Sequence, residues 1–98
     1  MDPSALLRHA HSAFADAGYA DRVRVTPADG GAAHRLDVEG RAISGSITLW
    51  ATGVFEADLA SEDQDLLLRS GTIGSRESFT EVLSGFLAVF DEHERSCG

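Results

Sequence analysis

The residues of this chain that could do chemistry are few, and most stand at the wrong spacing for it. Glu56 and Asp58 are two apart, so on a strand they share one face. Such a carboxylate pair can do acid–base work, or it can be the solvated face of a strand. His9 and His11 are also two apart, but a helix sends side chains at that spacing to different faces, so they cannot chelate one ion together. His93 and Cys97 are four apart and meet only if a helix persists to the end; without a visible third ligand they make a weak metal site. Ser44-Gly45-Ser46 lies inside a predicted strand, not on the strand-to-helix turn of a nucleophile elbow. A Walker-type phosphate loop needs a lysine, and the chain has none. Gly71-Thr72-Ile73-Gly74 has the spacing of the short glycine loop that clamps a nucleic-acid backbone. No basic patch accompanies it, and a loop leading into a helix accounts for both glycines. The expectation is therefore a non-enzymatic protein with no catalytic residue, no metal ligands and no cofactor.

Trp50 remains. Strand alternation places it among polar neighbours, with Ser44, Ser46 and Thr48. Either the strand register is one residue off, or Trp50 covers a sheet edge, or it is a partner-facing anchor, because exposed Trp on a polar surface often marks an interface hot spot. In the second reading Thr48 lies beside it, and Glu56 and Asp58 supply negative charge from the adjacent strand.

The elements that must position these residues follow from hydrophobic spacing. Leu6, Leu7, Ala10, Phe14 and Ala17 form a helical stripe over residues 3–17, with Asp2 as cap, Pro3 at the first helical position and Gly18 as the stop. Tyr19 can fold back on the last turn. Alternation then predicts strands over 22–26, with Val23 and Val25 on one face, and over 34–39, with Leu36 and Val38 inward. Residues 27–31 read as a Pro/Gly turn, and 39–41 as a tight reversal. The strongest strand is 43–50, with Ile43, Gly45, Ile47 and Leu49 on one face. Phe55, Ala57 and Leu59 face inward on the next, and a shorter fifth run over 65–69 has ambiguous facing in its Leu66-Leu67-Leu68 triplet. Phe79, Val82, Leu83, Phe86, Leu87 and Phe90 form one stripe on a helix over 76–94. Ser75 can cap it; Ser78 with Glu81 makes a capping box if the helix starts later.

Short reversals require antiparallel pairing. The fold expected is a single α+β domain over residues 1–98: a two-layer sandwich in which an antiparallel four- to five-stranded meander carries both terminal helices on one face. The other face carries Ser44, Ser46, Thr48, Trp50, Glu56 and Asp58.

Composition narrows the partners. The chain has 98 residues, 43% of them hydrophobic and 24% charged, as in ordinary globular proteins. Sixteen acids against eight bases, all arginine, give a formal charge of −8. That balance disfavours free nucleic acid and anionic membrane and would attract a basic protein partner. A negative surface can equally serve only to keep a small domain in solution. No apolar run approaches a membrane span, and the N-terminus lacks the basic and apolar regions of a signal peptide. With one cysteine, Cys97, this suggests a cytoplasmic protein.

The stretch Gly45-Ser46-Ile47-Thr48-Leu49-Trp50-Ala51-Thr52-Gly53 resembles the TriTu immunity group, small bacterial proteins that protect cells against contact-dependent toxins. The features that match are an opening helix, the strand ending in Leu49-Trp50 followed by Gly53, the acidic strand Phe55-Glu56-Ala57-Asp58, and a closing helix with Phe79, Leu83 and Phe86. The resemblance covers about the second half of the chain, and Ala51 departs from it where a polar residue is expected. It implies a non-catalytic protein that binds and blocks a basic toxin domain, commonly a nuclease. The rival expectation is a secretion-chaperone-like acidic homodimer that holds an effector segment. A small enzyme is a third, for which the sequence nominates no pocket.

Overall fold

The computed structural model of the chain describes residues 2–97. Helix α1 (Pro3–Asp16) opens on a side-chain cap: the Asp2 carboxylate accepts the backbone N–H groups of Ser4 and Ala5. It buries Leu7, Ala10 and Phe14 completely, one stripe at helical spacing. Gly18 ends it with a φ of +97°, a conformation that costs glycine little. The Tyr19 and Gly18 N–H groups then satisfy the last carbonyls, those of Phe14 and Ala15.

Five strands follow: β1 (Val23–Ala28), β2 (Ala33–Glu39), β3 (Ile43–Trp50), β4 (Val54–Ser61) and β5 (Asp65–Thr72). They pair in chain order, each antiparallel to the next. Helix α2 (Arg76–Cys97) closes the chain. Ser75 caps it, its hydroxyl accepting the Ser78 N–H at 3.1 Å; Ser78 is thus the capped residue and not the cap.

The alternation read from the sequence sets the two faces. Leu36, Val38, Ile43, Ile47, Leu49, Phe55, Ala57 and Leu59 are buried under the helices, joined by Phe79, Val82, Leu83, Phe86 and Phe90 of α2. Helix α1 packs over β1 to β3 and α2 over β3 to β5. The helices meet edge to face through Phe14, whose ring lies 5.9 Å from Phe86 and 5.6 Å from Phe90. Burying each of these rings contributes about 1.5–3 kcal/mol, so the aromatic stripe of α2 is the largest single contribution to the core.

The structure corrects several boundaries. Pro27 and Ala28 belong to β1 and not to the turn, which is only Asp29–Gly31, with all three residues at positive φ. Arg22 precedes the strand in a short 3-10 turn. Strand β5 runs three residues past the expected end, so Gly71 and Thr72 pair with Phe55 and Val54 instead of forming a loop. A bulge opposite Leu59 and Ala60 resolves the leucine triplet: Leu66 and Leu67 pack against the core, whereas Leu68 is 78% exposed on the other face. Helix α2 continues beyond residue 94 to Cys97, whose side chain lies outside the described residues.

Candidate functional site

Both helices cover one face of the sheet and leave the other to solvent. On that face the strand register builds rows of side chains. One row runs Arg24, Asp37, Ser46, Asp58, Leu68 from β1 to β5. The next runs Thr26, Arg35, Thr48, Glu56, Ser70. A third begins Ala28, Ala33, Trp50. The residues singled out in the sequence therefore lie together. Thr48 and Glu56 are direct cross-strand partners, Trp50 follows Thr48 on the same face of β3, and Asp58 follows Glu56 on β4.

Each side chain has a distinct setting. The Trp50 register is the expected one. Its ring is half-buried at the end of a central strand, and its indole N–H donates to the Asp29 carboxylate at 3.0 Å. That bond fixes the ring against the turn after β1. Ala33, its partner in register, is fully buried. Ser46 is only 6% exposed, although it sits on the polar face, and its hydroxyl donates to Asp58 at 2.7 Å. The Glu56 carboxylate takes part in none of the side-chain hydrogen bonds or ion pairs among the described residues, and its backbone bonds in the sheet ladder. Ser44 is exposed at the far end of β3.

Sequence reasoning missed the cations. Arg24 and Arg35 occupy the same face, and Arg35 is tied to Asp37 at 2.8 Å. The signal was present in the alternation of Arg22-Val23-Arg24-Val25, whose outward positions carry arginine. Negative charge is thus concentrated on the β4 side, and positive charge on the β1–β2 side is partly neutralised. At the end away from Trp50 the face dips into a groove of about 800 Å³, lined by Arg24, Asp37, Glu39, Ser44 and Asp58 among others.

The other chemistry-bearing residues stay apart. His9 approaches Arg76 at 3.4 Å, and the His93 ring lies near the Val89 carbonyl. Among the described residues no group of three or more His, Cys, Asp or Glu side chains converges as metal ligands. The face presents carboxylates, hydroxyls, two arginines and an aromatic ring at spacings fixed by the strand register. No helix of the described residues is long and apolar enough to cross a membrane.

These features define a class, an α+β meander domain with one helix-covered face and one uncovered polar face. Comparison with protein-family models, with curated proteins and with solved structures returns no match.

Proposed function

We propose that this protein is a non-catalytic, immunity-type inhibitor that binds and neutralises a basic bacterial toxin domain, a nuclease by class. One observation carries the reading: Thr48, Trp50, Glu56 and Asp58 lie contiguously on the sheet face that the helices leave uncovered. The chain's charge of −8 supports it, because an acidic face opposite a basic catalytic cleft speeds encounter and fixes register. The half-buried Trp50, held by Asp29, supplies a rigid anchor that loses little entropy on binding. The resemblance of residues 45–53 to the TriTu immunity group points the same way.

The test is co-expression with the C-terminal domain of whatever large protein is encoded beside this one. A one-to-one complex that abolishes that domain's toxicity is expected. Trp50→Ala, and separately Glu56→Arg with Asp58→Arg, should each raise Kd by about tenfold or more. The wild-type affinity should fall as salt rises. Unchanged affinity in every variant would remove this face from the interface, and a harmless neighbour that does not bind would remove the inhibitor reading.

A further inference from the structure

The two outer strands of the sheet are not equivalent. In the β2–β3 ladder Gly40 N–H donates to the Ile43 carbonyl, so by antiparallel alternation His34, Leu36 and Val38 turn their backbone groups toward β3. Ala33, Arg35 and Asp37 consequently turn theirs toward β1, where they meet Ala28, Thr26 and Arg24. Pro27 therefore points its nitrogen away from the sheet, and that edge lacks a donor where an added strand needs one. Proline on an edge is a usual guard against unwanted pairing.

Strand β5 has no such guard along its outer edge. Ile73 N–H donates to the Gly53 carbonyl, so Gly71, Arg69 and Leu67 bond toward β4. Leu68, Ser70 and Thr72 then turn both N–H and C=O outward. All three residues are exposed, and residues 67–72 contain neither proline nor lysine. The only irregularity is the bulge at the start of the strand.

Charge says what fits there. On the uncovered face Leu68 stands beside Asp58 and Ser70 beside Glu56, and exposed Glu62 and Asp63 of the preceding turn and Asp65 at the start of β5 add further negative charge. Arg69 is the only base of the strand. A second copy of this chain would bring the same acids and the same −8 charge against them. A segment with basic residues at alternate positions would place them on the carboxylate side, beside Leu68 and Ser70, and turn its intervening apolar residues to the other side, along Leu67 and Gly71.

Resting on the inhibitor reading, we infer that β5 is a docking edge: an extended, basic segment of the toxin partner adds to it as a sixth strand. Main-chain bonds to Leu68, Ser70 and Thr72 supply the attachment, and Glu56 and Asp58 select positive side chains on the segment. The partner would then contact the sheet through its edge as well as through Trp50 and its neighbours.

The probe is a capped peptide of alternating arginine and valine, followed by amide hydrogen exchange and nitrogen-15 NMR on the full chain. Saturating peptide should slow exchange at Leu68, Ser70 and Thr72 by about tenfold or more, with the largest shifts along β5. The glutamate–valine analogue should leave these amides unchanged. Ser70→Pro removes one outward donor and leaves the β4 ladder intact, so it should abolish the effect. Leu68→Arg keeps every backbone group and should weaken peptide binding about tenfold, which covers the case of a proline variant that fails to fold. No protection, protection elsewhere, or concentration-dependent protection of the same amides without peptide, as in a β5-to-β5 dimer, would overturn the inference. A partner domain that binds wild type and Ser70→Pro equally would overturn the edge and spare the inhibitor reading. Peptide docking on β5 with no toxin partner would do the reverse.

Discussion

Tyr19 shows how much one hydroxyl can join. Its O–H donates to the Asp91 carboxylate at 2.6 Å, and its ring packs edge to face on Phe90 at 5.0 Å. The hydrogen bond to Asp91 raises its pKa above the ordinary 10.0, helped by burial and by the Asp91 and Glu94 charges, and opposed by Arg95. A raised phenol pKa means that the folded state holds the proton more tightly than the unfolded chain does. The resulting stability is complete below about pH 10 and is lost as pH climbs through the higher folded value. Urea titrations from neutral to alkaline pH should show wild type losing stability more steeply above about pH 10 than Tyr19→Phe does. Parallel curves would mean that the Asp91 bond contributes nothing. Trp50 belongs to the same scale: its type and position were legible in the sequence, but its Asp29 partner, 21 residues away, was not.

At the scale of elements, β3 and β4 come together closely because Gly45 has no side chain. A Cβ built there would meet the Asp58 carbonyl oxygen and the Leu59 side chain inside normal contact distance. The backbone oxygen cannot swing aside, so Gly45→Ala should cost roughly 1–3 kcal/mol and displace Asp58 on the uncovered face. Chemical denaturation checks the first part, and an NMR shift at the Asp58 amide checks the second. A variant as stable as wild type would show that the two strands can separate freely at that point. The turn and strand ends were the least legible elements. Pro27 read as a turn because proline breaks ladders, yet at an outer strand its nitrogen faces away and breaks nothing. Gly71 and Thr72 read as loop because their composition is loop-like, but pairing with Phe55 and Val54 extends the strand.

At the scale of the whole molecule, Glu94 holds three distant segments together. Its carboxylate is 4% exposed and binds the Arg22 guanidinium at 2.9 Å and the Arg41 backbone N–H at 2.5 Å. It thereby joins the end of α2 to the short 3-10 turn before β1 and to the β2–β3 reversal, beside Gly40. Glu94→Ala leaves a guanidinium and a backbone donor without their acceptor, and should cost roughly 2–4 kcal/mol. Glu94→Gln keeps an acceptor and should cost less. The neighbouring Arg95–Asp91 pair, whose arginine is 79% exposed, should be worth under about 1 kcal/mol. Urea midpoints of Glu94→Ala and Arg95→Ala give the comparison directly; equal losses would show that burial adds nothing to the Glu94 contacts.

The sequence by itself determined the α+β class, the order of elements, the inward and outward faces of β1 to β4 and the aromatic stripe of α2. These are properties of local periodicity: a side-chain repeat of two or 3.6 residues needs no knowledge of what lies across the fold. It also placed Thr48, Trp50, Glu56 and Asp58 on one face, because alternation within β3 and β4 was unbroken. What only the tertiary structure decided depends on contacts between segments distant in the chain. The Asp29–Trp50, Ser46–Asp58 and Glu94–Arg22 partnerships are of this kind, as are the bulge that turns Leu68 outward and the side of Pro27 that faces solvent. None has a repeat to reveal it, since each is set by the register and packing of neighbours that only the folded chain brings together.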